Sequence, residues 1–470
     1  MLWQFFNGDS YMTRYHVTIS GHNRDMMLDL VRKHKINIFG NSVEKTTEEG
    51  YDVDGLVEDQ DINTLEKEGY KVRINHDIDE VGKKRQQEIG KQNRYAKTFE
   101  TEADRSIREK EGTYLNIDEV ESALKQATSS PTNAFTELIP LPNRTWEDRQ
   151  THAIKMGKGS ESNRIGVYFI GGVHAREWGS PDILINFIEK VSQAYQTNTG
   201  LNFGEKSFSA TQIQDIINRL DIFIFPQVNP DGRYYSMTSD VAWRKNRRPA
   251  SSGQSNCIGV DINRNYKFLW NYPDYFSPNA GVQSSTDPCD YQVYIGPEAA
   301  SEPETKNVIW MMDKYEHISF FIDVHSYGED ILYNWGDAHD QTKNPDMNFQ
   351  NSKYDGTRGD ESYKEYMPKD DESKEIALAN SMASAIQAVH GRKYTVEEGY
   401  SLYPTSGTSD DYAFSRHFVK HNDKKILSYV IEWGEKKDKS ILQFHPPYSK
   451  MKKIIEEVTA GLIQFCIDIL

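Results

Sequence analysis

Cysteine is scarce in this chain: there are three in 470 residues, Cys257, Cys289 and Cys466. So few exclude a disulfide-stapled scaffold. Cys257 and Cys289 lie in loop-like sequence rich in Gly, Ser, Pro and Asn, where a bridge would tie down a long irregular segment; Cys466 sits on the apolar side of the last helical stretch. One bridge and one buried thiol is the expectation. Long hydrophobic runs are also missing. No run approaches the roughly 18 apolar residues that a membrane-spanning helix needs, and the apolar end at 458–470 is interrupted by Gln464 and Asp468. Positive charge is in deficit: the net charge is −16 and the 55 Lys and Arg residues are scattered, which excludes a surface that tracks nucleic-acid phosphates. No GxSxG elbow occurs, so a serine hydrolase of that kind is unsupported. Met1 to Asn7 lacks the charged and apolar regions of a signal peptide. A bridge calls for an oxidising compartment, so either the numbering begins after a removed leader or export is unusual; the expected localisation is extracellular.

What the chain does have is size and alternation. Its length allows one large catalytic domain beside a smaller one. In residues 1–95 the patterns predict a strand at 15–19, an amphipathic helix at 24–34, a strand at 51–57, a short helix at 61–68 and a strand at 70–74. That order suggests a small α+β open sandwich. A nearly continuous charged stretch over 81–112 follows, read as a solvated helix or linker full of tryptic sites; its last part, 96–112, is taken as the linker proper. From 113 to 470, predicted strands near 135–141, 149–157, 165–170, 221–228, 319–324 and 426–432 alternate with helices near 115–127, 181–195, 211–219, 302–315, 374–390 and 448–470. Such alternation predicts an α/β fold with a mixed, mostly parallel sheet and helices on both faces. Sites in such sheets lie at the carboxyl ends of strands.

Three strand ends carry the candidate chemistry. The run Ile165 to Ile170 opens through Gly171 and Gly172 into His174, with Glu177 three positions on; Phe320 to Val324 leads to His325; Leu427 to Ile431 leads to Glu432. Two imidazoles and a carboxylate suit a catalytic zinc, which takes three protein ligands and keeps one position open for water. Alone, His-x-x-Glu is also met on ordinary surfaces. Glu432, a carboxylate at the end of an apolar strand, is placed for a raised pKa and general-base work. Arg244 beside a polarised carbonyl would stabilise an oxyanion, and Asn263 with Arg264 makes a fork able to grip a carboxylate. Tyr403 lies in a loop.

From about 113 to 470 the chain resembles the zinc carboxypeptidases of the carboxypeptidase A and B family. The motifs occur in order: GxHAREW at 172–178, NPDG at 229–232, WRK at 243–245, the Cys-x-Gly-Val-Asp-x-Asn-Arg-Asn run at 257–265, HSY at 325–327, LYPTSGTSDDYA at 402–413 and the strand ending in Glu432. The resemblance implies an eight-stranded sheet of the zinc carboxypeptidase type and one Zn2+ held by His174, Glu177 and His325. It implies Glu432 as general base, Arg244 as the oxyanion-stabilising arginine and Tyr403 as the mobile tyrosine over the bound residue. Asn263 and Arg264 would hold the terminal carboxylate, with Arg176 and Tyr327 also beside the substrate. Cys257 and Cys289 fall where many members have a disulfide.

Asp410 aligns with the base of the pocket for the last side chain, apolar in A-type and acidic in B-type members. A buried carboxylate there favours Lys or Arg, because an apolar side chain would leave it desolvated and unpaired. The alternative is that Asp410 only caps a helix beginning at Asp411. The expected function is zinc-dependent release of C-terminal Lys or Arg from peptides and proteins; A-type or mixed specificity, a zinc amidohydrolase of acylamino acids, and a silent binding protein are the alternatives. The N-terminal region resembles a propeptide domain, so an activating protease acting among Arg94 to Lys110 is a further expected partner; a permanent accessory domain is the other reading. Neither nucleic acid nor membrane is expected as a partner, and the enzyme is expected to be a monomer. Two segments depart from the family pattern. Residues 337–373 form an Asp/Asn/Lys-rich insertion without apolar periodicity, acidic enough to hold calcium but without an EF-hand pattern, and read as a solvated loop. About seven extra residues lie around His417 to Lys425.

Overall fold

The computed structural model describes residues 13–34, 36–46, 50–96, 112–129, 134–159, 164–251, 257–401, 403–419, 424–439 and 442–470. The stretch Met1 to Asn7, nearly all of the expected linker with Arg105 to Lys110, Leu402, and 420–423 of the second departure lie outside the described residues. The chain divides into two compact units, one up to Lys84 with 439–442, the other 85–438 with 443–470.

In the first unit, β1 (Arg14–Gly21), α1 (Arg24–Arg32), β2 (Asn37–Lys45), β3 (Tyr51–Glu58), α2 (Asp59–Lys67) and β4 (Lys71–Asp77) precede α3 (Ile78–Gln86), which runs on into the second. The strands form an antiparallel sheet in the order β2-β3-β1-β4. Alternate residues Val17, Ile19, Val53 and Val57 turn to one face and pack with Met27 and Leu30 of α1 and Leu65 of α2. This is an open-sandwich arrangement. The sequence reading missed β2, whose Asn, Gly and Ser break the alternation that marks a strand.

The second unit begins with α4 (Ile117–Ser129), β5 (Thr136–Pro140), β6 (His152–Met156), β7 (Ile165–Gly171) and α5 (Gly179–Thr197). The hairpin β8 (Leu201–Phe203) and β9 (Lys206–Phe208) leads to α6 (Ala210–Arg219), β10 (Leu220–Phe225), α7 (Pro230–Thr238), α8 (Tyr272–Tyr275) and α9 (Pro303–Lys314). Then follow β11 (Ile318–Ser326), β12 (Asp330–Tyr333), β13 (Asp340–Gln341), β14 (Glu365–Tyr366), α10 (Lys369–His390) and β15 (Thr395–Glu398). Last come α11 (Ser409–Val419), β16 (Leu427–Trp433) and α12 (Tyr448–Asp468). Eight strands form one sheet in the order β15-β12-β16-β11-β7-β10-β6-β5. The central strands β16, β11, β7 and β10 are parallel, and antiparallel partners appear at β12, β6 and β5.

Strand alternation sends neighbouring residues to opposite helical layers. Tyr168, Ile170, Phe223 and Phe321 join Val308 and Met311 of α9 and Ala413 of α11 in one core. Phe169 instead meets Phe187 of α5, with ring centroids 5.6 Å apart, and Phe320 meets Phe465 of α12 at 5.5 Å. The mixed sheet with helices on both faces is therefore the fold expected from the sequence. No helix among the described residues is long and apolar enough to cross a membrane.

Two readings need correction. The 337–373 segment is not a solvated loop throughout: Asp337, Arg358 and Glu365 are 0% exposed, and Tyr363 and Met367 are buried with them. Buried charges packed on each other leave no apolar period to read. Nor is the charged stretch before the linker wholly solvated, because Arg94 is buried against Glu119 on α4.

Candidate active site

Parallel pairing brings the three strand ends to one edge. β11 lies between β7 and β16, with Val324 opposite Gly171 and His325 opposite Glu432. Gly172, at φ +63, turns the chain off β7 where a Cβ would meet the Pro181 ring at 3.1 Å. The turn presents His174 and Glu177 toward His325. His174 Nδ1 lies 2.8 Å from Glu177 Oε1, and His325 Nδ1 lies 3.0 Å from both Glu177 Oε2 and His174 Nδ1. All three residues are buried, and one ligand atom from each lies within 4.8 Å of the others, a group that can hold a metal ion.

The surroundings fit a cation. The far nitrogen of each imidazole faces a carboxylate: His174 Nε2 is 3.2 Å from Asp261 Oδ1, and His325 Nε2 is 2.9 Å from Asp323 Oδ2. Such partners fix the ring so that Nδ1 is turned to the metal and make it a better ligand. Burial alone would lower the His325 pKa, but Asp323 and Glu177 on either side hold it well above its ordinary value. The cavity attracts positive charge.

Asp261 also receives Arg244, with Nε to Oδ2 at 2.9 Å, so one buried carboxylate ties Arg244 to His174. Arg244 O accepts from Ala175 N at 2.9 Å, which holds its loop to the loop of His174. Asn263 and Arg264 follow Asp261 on a short 3-10 turn, Ile262–Arg264. Asn263 Oδ1 accepts from Ser409 N at 2.8 Å. Gly407, at φ +65, lies so close to Arg264 that a Cβ would meet its carbonyl oxygen at 2.4 Å. These contacts bring Asn263 and Arg264 together with the 407–411 segment.

Asp410 is 6% exposed, and among the described residues no Lys, Arg or His forms an ion pair with it. Burial first, and the neighbouring Asp323 charge after it, raise its pKa above the ordinary value. Asp410 is the second residue of α11, which begins at Ser409, so Asp410 lies inside the helix and does not cap one beginning at Asp411. Glu432 is partly buried, and its Oε2 has no hydrogen-bond partner among the described residues. Burial, with Glu177 and Asp330 adding to it, raises the Glu432 pKa to about 8 against the pull of His325 and Arg244. Tyr403 is half-buried and within electrostatic reach of Arg244. Arg176 and Tyr327 are both buried and share Phe444: the guanidinium lies 3.9 Å from its ring centroid, and the tyrosine ring meets it at 4.9 Å. Cys257 and Cys289 form a disulfide that closes a loop containing the Ile262–Arg264 turn, and Cys466 is a buried free thiol.

The sequence reading named neither Asp261 nor Asp323. Its signals were an Asp two positions before each functional residue: Asp-x-Asn in a turn, and Asp-x-His on a strand, where positions i and i+2 share a face. Asp330, opposite Glu432 in the β12–β16 register, was also missed; it belongs to a strand too short to stand out.

The pattern of the peptidase family described as zinc carboxypeptidase matches residues 123–461, well over half the chain. The chain belongs to that family. It is 30% identical over 323 residues to a carboxypeptidase B of Astacus astacus, across 68% of this chain and 86% of the relative. It is 32% identical over 325 residues to a metallocarboxypeptidase A of Arthroderma otae, across 68% of this chain and 63% of the relative. The chain thus spans less than two thirds of that relative's length, and 57% of the length of human carboxypeptidase B. The fold is similar to that of thrombin activatable fibrinolysis inhibitor, with a TM-score of 0.68 and 20% identity across 97% of this chain and 98% of that one. As a zinc carboxypeptidase, the chain is a metallopeptidase hydrolase that takes one Zn2+, and the buried His174, Glu177, His325 group can bind it. A and B names both occur among the relatives, so the names leave the preferred residue open.

Proposed function

We propose that this zinc carboxypeptidase releases Lys or Arg from the C-termini of peptides and proteins. Asp410 carries the specificity: a carboxylate buried at the pocket base with no cation of its own gains a partner from a basic side chain and none from an apolar one. Asn263 and Arg264 hold the substrate's terminal carboxylate, and because a mid-chain bond brings no carboxylate to that fork, cleavage is confined to the last residue. His174, Glu177 and His325 hold the zinc, which supplies Lewis acidity and lowers the pKa of water. Glu432 takes the proton of the attacking water and returns it to the leaving amine. Arg244 sets its charge where negative charge grows on the carbonyl oxygen. Tyr403 covers the bound residue, and Arg176 and Tyr327 support the substrate from the wall they share with Phe444.

Residues 1–95 serve as a propeptide-like domain, 96–112 as the linker an activating protease cuts, and 113–470 as the catalytic domain of a secreted, monomeric enzyme made in latent form. The test is release of free arginine from a blocked dipeptide ending in Arg, after mild trypsin treatment, with and without a zinc chelator. Chelator-sensitive release supports the reading. Chelator-sensitive release of Phe but not Arg from matched dipeptides would overturn the pocket assignment, and release of neither would overturn the activity.

A further inference from the structure

Arg244 stands in a loop between α7 and α8, and Arg264 on the 3-10 turn of the same irregular stretch. A substrate's scissile carbonyl and terminal carboxylate are joined by one amide nitrogen and one α-carbon, so covalent geometry fixes the span that two such arginines must match. Loops without a ladder of backbone pairs do not keep such a span by themselves.

A buried carboxylate ties the two loops to each other. Glu302 immediately precedes α9 and is 0% exposed. Its Oε2 accepts from Asn246 Nδ2 at 2.8 Å and from Trp146 Nε1 at 2.8 Å; its Oε1 accepts from Ser301 Oγ at 2.6 Å and from Arg248 Nη1 at 2.7 Å. Asn246 lies two residues beyond Arg244. Its N–H donates to Val260 O at 3.1 Å, and its Oδ1 accepts from Val260 N at 2.8 Å. Asn265 directly follows Arg264; its Nδ2 donates to Ser301 Oγ at 3.0 Å, and its Oδ1 accepts from Glu302 N at 3.2 Å. One oxygen of Glu302 therefore reaches the Arg244 loop through Asn246. The other reaches the Arg264 turn through Ser301 and Asn265. These four donors occupy both oxygens of a group that, when ionised, can only accept. Arg248 also balances the charge of the buried carboxylate, as a group so far from water requires.

We propose that Glu302 fixes Arg244 and Arg264 in register, so that one bound substrate presents its scissile carbonyl to the first and its terminal carboxylate to the second. Glu302 is a positioning residue, because it acts on the substrate only through the two arginines. The inference rests on the roles proposed for those arginines, and not on which side chain the pocket at Asp410 takes.

The experiment uses the full chain after mild trypsin treatment, with blocked dipeptides ending in Arg and in Phe, and reads kcat, KM, bound zinc and the urea midpoint for each variant. Glu302→Gln keeps the volume and replaces one oxygen with an amino group. The remaining oxygen stays with the Arg248 charge, so the amino group faces the Asn246 and Trp146 donors and the Arg244 loop loses its anchor. kcat should fall by about tenfold or more while KM stays within about threefold, since an oxyanion partner acts in the transition state. Ser301→Ala cuts the path to the Arg264 turn, and should raise KM by about fivefold with kcat nearly kept. Trp146→Phe takes a donor from the same oxygen as Asn246 but belongs to neither arginine loop. It should lower the urea midpoint and leave kcat and KM within about twofold. Bound zinc should be the same in all of them. A kcat loss that Trp146→Phe reproduces, a kcat that Glu302→Gln leaves within about threefold, or a KM unmoved by Ser301→Ala overturns the inference. If Glu302→Gln does not fold, Asn246→Ala, which cuts the same tie, must show the kcat loss in its place. Arg244→Ala and Arg264→Ala run in parallel separate the two failures. If the first leaves kcat intact or the second leaves KM intact, the reading of the arginines falls; if both have their effects and Glu302→Gln has none, only the register inference does.

Discussion

Asp410 and Glu432 are the residues whose replacement should separate specificity from chemistry. On the proposed reading, Asp410→Leu removes the buried carboxylate that a guanidinium or ammonium would neutralise. kcat/KM for a peptide ending in Arg should fall by about a hundredfold or more, while that for one ending in Leu rises. Measuring both substrates on one preparation checks this, and an unchanged ratio would remove Asp410 from the pocket. Glu432→Gln keeps the shape and removes the proposed base. It should lower kcat by about 10²- to 10⁴-fold with bound zinc retained, read by metal analysis beside turnover. Loss of zinc in the same proportion would make Glu432 a ligand neighbour rather than the base. At this scale the sequence was informative where a residue's role depends on its own neighbours in the chain. His174 and Glu177 share a turn, and His325 ends an apolar run. It was silent on Asp261 and Asp323, which act through residues already named, and on Asp410, since only packing decides that no Lys or Arg among the described residues pairs with it.

Among the elements, β7, β10, β11 and β16 could be read because they are apolar over their whole length, as central strands covered on both faces must be. β12 and β15 could not: each has four residues, and Asp330, Glu397 and Glu398 among them hide the strand signal. The 337–373 segment hid for the opposite reason, since its core is made of paired charges. The amino end of β10 shows how such pairs hold a strand at the edge of the sheet away from the site. Asp221 is buried there, 2.6 Å from Arg164 Nε, 3.0 Å from His317 Nε2 and 3.2 Å from Lys155 Nζ. Burial would raise its pKa, but these three groups outweigh burial and lower it from 3.8 to about 2. A depressed carboxylate stabilises the fold fully above its unfolded value and loses that contribution as pH falls through the folded one. The contribution is about 2 kcal/mol at neutral pH, and about half of it should remain at pH 3. Asp221→Asn should therefore lower the unfolding free energy read from urea melts at pH 7, by about 3 kcal/mol once the loss of Arg164's charged partner is included, and less at pH 3. The same deficit at both pH values would show that the charge of Asp221 is not what stabilises the strand.

For the whole molecule, the question is where a protease can separate the N-terminal region from the rest. The sequence offers basic residues all along the charged stretch, and by charge alone Arg94, Lys97, Arg105, Arg108 and Lys110 are equivalent. Arg94 is not equivalent in the fold. Its side chain is 8% exposed and its partner Glu119 is 0% exposed. Arg94 Nη2 donates to Glu119 Oε2 at 3.0 Å, and its backbone N–H donates to Oε1 at 3.1 Å. Gly90 N donates to Tyr114 O at 2.9 Å, and Asn93 Nδ2 to Ser122 Oγ at 2.8 Å, so the backbone before Arg94 is fixed to the unit that carries the active site. A protease needs several residues in extended form in its cleft, so a cut after Arg94 requires this local structure to open first. Brief trypsin treatment should therefore give new N-termini beyond Arg94, within 98–111, and residues 85–94 should remain bound after the cut. Glu119→Gln takes the charged partner from a buried arginine, at a cost of about 3 kcal/mol, and should make opening roughly a hundredfold more frequent. N-terminal sequencing of the fragments should then find a cut after Arg94 in the variant that is absent from the unaltered chain. If the unaltered chain is cut after Arg94 as fast as at the later sites, the ion pair does not hold the segment, and the choice of cleavage site is left to sequence preference alone.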